Sequence, residues 1–150
     1  MKRIAGSFHV DSLAIAVDRL DKTGDVPPQI RVLKGDEVYE ISTVGMKYEV
    51  ALNIVEKQMK PDAVNLIAMA WSRPPFPGDA AINQALKKRL FVMTFDRLGG
   101  RWVSLFDVHK DEEGTEIEDV AFGYDGASNV SIHTADNGDL EVMLSQQSAH

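Results

Sequence analysis

The sequence contains no cysteine. Disulfides, thiolate nucleophiles, Cys-ligated zinc and iron–sulfur ligation are excluded together, and a reducing compartment is the expected setting. Histidine is nearly as scarce. His9, His109, His133 and His150 stand far apart, with no H-x-H or H-x-x-x-H spacing to seed a metal site. No metal and no cofactor is therefore expected. Long apolar runs are missing too. The longest, Ala63 to Trp71, has about nine residues with Asn65 inside it, where a membrane helix needs roughly twenty. Behind Met1-Lys2-Arg3 there is no apolar stretch of signal-peptide length, so the expectation is a cytoplasmic protein without membrane contact. The G-x-S-x-G elbow, the P-loop and G-x-G-x-x-G are all absent.

What is present suffices for one domain, 1–150, with a substantial core. Charge is divided unevenly along it. Residues 1–106 hold 15 Lys/Arg against 12 Asp/Glu, whereas residues 107–150 hold Lys110 alone against 11 Asp/Glu. An acidic last third keeps a protein soluble or presents a face to a basic partner. It also repels phosphate backbones, so no nucleic-acid binding is expected there.

Apolar periodicity then gives the elements. Leu13, Ala16, Val17 and Leu20 predict a helix over 11–23, with Val10 ahead of it, capped by Asp11 or Ser12 and closed by Gly24. Gln29 to Ile41 predicts a hairpin about Gly35-Asp36 that places Arg31 opposite Glu40. Ile30, Val32, Tyr39 and Ile41 then share a core-facing side. The stripe Val44, Tyr48, Ala51, Leu52, Val55, Met59 predicts a second helix, capped by Ser42 or Thr43 and ended by Lys60-Pro61. Ala63 to Trp71 predicts a strand buried on both faces, and Asp79 caps a third helix to about Lys88, whose C-terminal end would explain Lys87, Lys88 and Arg89. Leu90–Asp96 and Arg101–Val108 predict strands around a four-residue loop, with Phe95 opposite Trp102. An acidic loop over 111–116, a short strand at Val120–Tyr124 and a last hairpin over 129–145 follow. Gly138 there closes a three-residue turn.

The expected class is α/β (α+β): a mixed sheet of about 7–8 strands with three helices, in the order α-β-β-α-β-α-β-β-β-β-β. The strand–helix–strand unit between Ala63 and Asp96 is expected to be a right-handed parallel crossover. Over residues 11–108 this order resembles the core of the zinc-dependent cytidine-deaminase-like fold. That family carries H-x-E and P-C-x-x-C at the starts of its second and third helices. The corresponding stretches here read Thr43-Val44-Gly45-Met46 and Pro74-Pro75-Phe76-Pro77-Gly78-Asp79, so none of its catalytic residues carries over.

Asp111, Glu113 and Thr115 begin like a calcium loop, but Glu116 stands at the sixth position and Phe122 at the twelfth, which argues against one. His133 falls opposite Glu141, His109 sits beside the acidic loop, and His9 precedes the first helix as a cap or a catalytic group. The candidate ligand site is Trp71, Ser72, Arg73, Phe76 and Asp79, where a buried strand leads into a helix N-terminus. Arg73 offers a donor fork, Trp71 or Phe76 a stacking surface, and Ser72 a hydroxyl. No catalytic set emerges. The leading expectation is a non-catalytic binding or regulatory domain acting through a protein partner or by self-association as a homodimer. The rivals are a small-molecule or nucleotide-handling enzyme at 71–79 and an acidic nucleic-acid mimic using 107–150.

Overall fold

A computed structural model describes residues 2–73, 86–124 and 128–146. Its elements are α1 (Lys2–Thr23), β1 (Gln29–Lys34), β2 (Glu37–Ser42), α2 (Tyr48–Met59), β3 (Ala63–Arg73), β4 (Lys87–Asp96), β5 (Arg101–Asp111), β6 (Gly114–Tyr124), β7 (Ser128–Thr134) and β8 (Leu140–Gln146). The fold is α+β. One eight-stranded sheet runs β2-β1-β3-β4-β5-β6, and the β7–β8 hairpin joins it where β8 pairs in parallel with the end of β3. α1 packs on one face and α2 on the other, so the central strands are buried on both sides as expected.

α1 begins well before the expected start at residue 11. Its buried stripe, Phe8, Ser12, Ala16 and Leu20, keeps four-residue spacing, but Ser12 and the adjacent buried His9 are polar and interrupt the apolar pattern. Val10, which the pattern placed ahead of the helix, lies on its exposed side. Gly24 closes the helix as expected, its N–H donating to the Leu20 carbonyl at 2.9 Å. α2 in turn begins at Tyr48, later than its stripe implied. A turn from Thr43 to Met46 comes first, Lys47 is the N-cap without a side-chain bond, and neither Ser42 nor Thr43 caps the helix. The Tyr48 N–H instead donates to the hydroxyl of Thr134, 86 residues away on β7, at 3.0 Å. A strand of the sheet thus supplies the helix cap.

The first hairpin has the expected register, with Arg31 opposite Glu40, Val32 opposite Tyr39 and Ile30 opposite Ile41. Its burial differs. Ile30 and Val32 are in the core, but Tyr39 is 40% exposed because β2 is the sheet edge and lies beyond the cover of α2. The last hairpin also follows its expected register, Thr134 opposite Leu140 and Ile132 opposite Val142. Gly138 closes its turn at φ +91°.

The middle hairpin is offset by one residue from expectation. Phe95 pairs with Arg101 and Thr94 with Trp102. The cause is that Asp96 N–H bonds the Gly100 carbonyl, so the loop has three residues and ends on Gly99 at φ +92°, as at Gly138. One consequence follows the period of two: Ser104 and Thr94 turn toward α1.

β3 and β4 are neighbours and antiparallel, which overturns the expected crossover. β3 is 11 residues long, about 36 Å at 3.3 Å per residue. A helix made from all of 74–86 would rise only about 20 Å and could not return the chain to the start of β3. The likeness to the deaminase core therefore stays one of element order. Two helices are present among the described residues. The expected third lies for the most part outside them, and its supposed C-terminal end, Lys87 and Lys88, belongs to β4. The expected acidic loop is instead a tight turn, with Asp111 paired to Gly114 and β6 starting there.

Candidate functional site

The sequence-predicted site falls at the end of β3. Ser72 is fully buried, and its hydroxyl and carbonyl both accept from the Arg89 guanidinium, at 3.4 and 2.7 Å. Trp71 donates its indole N–H to Asp139 at 3.1 Å, and the Lys88 ammonium stands 5.7 Å from the ring centre. Arg73 ends β3 beside Met143 of β8. The side chain of Arg73 and residues Phe76 and Asp79 lie outside the described residues.

Arg89 was missed as a site residue because a helix C-terminus appeared to account for it. It sits on β4 directly across from Ala70, fully buried, and its Nε donates to Asp107 at 2.8 Å. Lys87 reaches the same carboxylate oxygen at 3.1 Å. Burial by itself would raise the Asp107 carboxyl, but the bonds from Lys87 and Arg89 outweigh it and hold the group below the usual carboxylate range. A buried arginine needs such partners, because an unpaired charge in the interior is costly. Asp107 is thereby withdrawn from the acidic third, and Ser72 is committed to positioning Arg89.

A second polar cluster lies between α1 and the sheet. His9 Nδ1 is 2.8 Å from the Thr94 hydroxyl, and Nε2 is 2.8 Å from the Ser104 hydroxyl. Asn65 donates its amide to Thr94 at 2.7 Å. All four residues are buried, and burial pushes the His9 imidazole down to about 4, so it is neutral near pH 7. A Ser–His contact of this length is a nucleophile–base geometry. Here the third partner is a hydroxyl rather than a carboxylate, and the helix body covers the serine. The cluster fastens α1 to β4 and β5. Nothing marked it in the sequence except the four-residue spacing from Phe8 onward.

Three strands of the described sheet, β2, β6 and β7, are paired on one side only, and the first two differ in character. On β6, Glu116 and Glu118 are exposed, with His109 3.4 Å from Glu118. On β2 each carboxylate is engaged: Glu37 accepts from the Tyr39 hydroxyl, and Glu40 lies 3.1 Å from Arg19 and 3.4 Å from Arg31. Val38 and Tyr39 stay exposed between them. Val50 and Ile54 on α2, and Met46 in the turn before it, are also exposed and apolar. His133 lies opposite Glu141, as expected.

An acidic groove of about 550 Å3 runs between α1, with Asp18 and Asp21, and the β5–β6 turn, with Asp111, Glu113 and Glu116. Asp18 pairs with Lys22 at 3.0 Å, and Asp111 accepts from the Glu113 N–H at 2.8 Å within its own turn. Among the described residues no three His, Cys, Asp or Glu side chains converge as a metal set. No described helix is long and apolar enough to cross a membrane. Comparison of the chain with family models, with curated proteins and with solved structures finds no match.

Proposed function

We propose that this chain is a non-catalytic association domain and that its partner is a second copy of itself, joined through the free edge of β2. One observation carries the reading: β2 is an unpaired sheet edge on which Arg19 and Arg31 compensate Glu40 and the Tyr39 hydroxyl hydrogen-bonds Glu37, with Val38 and Tyr39 exposed on it. Proteins guard such edges with charge, and β6 carries that guard in the exposed Glu116, beside Glu118 with its His109 contact. Antiparallel pairing of β2 with its twofold mate centred on Tyr39 brings Tyr39 against Tyr39 and Val38 against Glu40. It closes as a dimer, whereas β2 on β6 would set acidic strands together and grow open-ended. The groups that could do chemistry point the same way, since Ser72, Asp107, His9 and Ser104 are spent on internal partners.

A six-residue edge with a modest apolar flank falls at the small end of stable interfaces, so a dissociation constant on the order of micromolar is expected. Light scattering on a size-exclusion column from about 1 to 200 µM tests this. The wild type should pass from monomer to dimer, Val38→Lys should remain monomeric, and Glu118→Lys should behave as wild type. A monomer at every concentration rejects the proposal, as does a dimer that Val38→Lys leaves intact. Capture of a different protein through this edge, with no dimer, rejects the choice of partner.

A further inference from the structure

We propose that the cavity at the foot of α2 binds a small aromatic carboxylate. The site is separate from the β2 edge and does not depend on dimerisation. Its volume is about 330 Å3, and it lies where the end of α2 and the turn after it meet the start of β3 and the end of β4. That is about eleven times the ~30 Å3 share of a liquid water, room for a single ring with one substituent.

The floor is apolar. Val64 and Phe95 are direct register partners across β3 and β4, so their side chains form one surface, and Pro61 walls it. Two cations stand at the rim, Lys60 and Arg97. Lys60 caps α2 in the left-handed conformation, φ 49° and ψ 61°, the one positive-φ residue other than glycine among the described residues. Glycine is the ordinary occupant of such a position, because a side chain is strained there. The turn also takes Lys60 out of helical register with Glu56, four residues before it, and no ion pair forms between them. Lys60 has no ion-pair partner among the described residues. Arg97 gives Nη1 to Asp62 at 3.1 Å and remains more than half exposed, with further donors on its planar fork.

A strained lysine without an ion-pair partner among the described residues, an arginine in the same lining and an apolar floor together fit one ligand chemistry. An aromatic ring covers Val64 and Phe95, and a single carboxylate at its end meets Lys60 and Arg97. Glu56 at the rim works against a second negative charge, which favours a monocarboxylate over a phosphate ester. Asp96, also in the lining, has Oδ1 taken by the N–H groups of Leu98 and Gly100 at 2.9 and 2.8 Å, while Oδ2 is buried without a hydrogen-bond partner.

The probe is sodium benzoate, titrated into 15N-labelled protein at constant ionic strength, with benzamide as the neutral control. Saturable shifts are expected at the amides of Ala63, Val64, Phe95 and Arg97, with a dissociation constant on the order of 0.1–1 mM for so small a ligand. Benzamide should bind about tenfold more weakly. Lys60→Gly relieves the backbone while deleting the cation, so its melting temperature should equal or exceed the wild type while benzoate binding falls about five- to tenfold. Arg97→Gln should weaken binding similarly. The proposal is overturned by shifts that do not saturate, by equal binding of benzamide, or by wild-type affinity in both variants.

Discussion

Ser104 and His9 are 95 residues apart in sequence, yet the serine hydroxyl lies 2.8 Å from the imidazole Nε2, and together they hold the longest helix against the sheet. The bond has a pH signature. Folding takes the His9 pKa from an ordinary 6.5 down to about 4, because burial disfavours the charged ring. Between those values the unfolded chain binds a proton that the folded chain refuses. Stability from this source is therefore complete above pH 6.5 and drains away as pH falls through 4, by about 3 kcal/mol at most. Carboxylates titrate nearby, so the measurement is a difference. Urea unfolding of wild type and His9→Gln from pH 7.5 to 4 should show the wild-type advantage shrinking as pH falls. A gap independent of pH would show that His9 does not carry this linkage.

Arg89 and Asp107 should prove strongly coupled. Asp107→Ala leaves a fully buried guanidinium without its carboxylate and should cost about 2–4 kcal/mol, near the lower end for buried pairs because Asp107 is partly exposed. Arg89→Met together with Asp107→Ala should recover much of that loss. Denaturant midpoints for the four proteins of the double-mutant cycle decide it, and simple additivity would contradict the pairing.

Thr134→Val removes the hydroxyl that accepts from Tyr48 at the start of α2, while Thr134→Ser keeps it. The valine should cost about 1 kcal/mol, as lost N-caps do, and the serine much less. Amide exchange at Tyr48 should accelerate in the valine variant alone. Equal exchange in the two variants would assign the cap elsewhere.

Two glycine substitutions should rank against the order that backbone angles alone suggest. Gly138→Ala places a methyl group in open space and suffers only from the positive φ, about 1 kcal/mol. Gly100 carries no such angle, but a Cβ there would come within 2.8 Å of Asp96 Oδ2, a carboxylate fixed by two bonds of its own turn. Gly100→Ala should therefore be the more damaging of the two in thermal unfolding. The reverse order would mean that Asp96 yields easily.

Elements whose pattern depends on local pairing were legible in the sequence. The Gly35-Asp36 turn fixed Arg31 opposite Glu40, and Gly138 fixed Thr134 opposite Leu140. The middle hairpin follows the Gly138 rule as well, but Gly99-Gly100 offered two placements for the left-handed residue, and a shift of one moved every facing pair. Long-range arrangements left no local trace. Nothing near Tyr48 announces that its cap is Thr134, and nothing near Arg89 announces Asp107. The expected third helix and the parallel crossover followed from a proline-rich connection and a likeness of element order. Neither takes account of β3 extending to Arg73, which makes the return path too long. At the candidate site, Trp71 and Ser72 were placed rightly at a strand end, but the partner that occupies Ser72 lies 17 residues further on and reads as a surface cation.

The parallel seam between β8 and β3 also sets an order of events during synthesis. Trp71 finds its strand partner in Glu141, 70 residues later. At roughly 5–20 residues per second a ribosome needs about 4–14 s to cover that interval. Once β4 has followed, the end of β3 has β4 on one side and no strand on the other until β8 is made. A nascent chain held at residue 120 should therefore be open to protease and to chaperones near Trp71, while β1, β3 and β4 are already joined. Emergence of the β7–β8 hairpin shuts that gap, so the seam with β8 is the last of the β3 pairings to form.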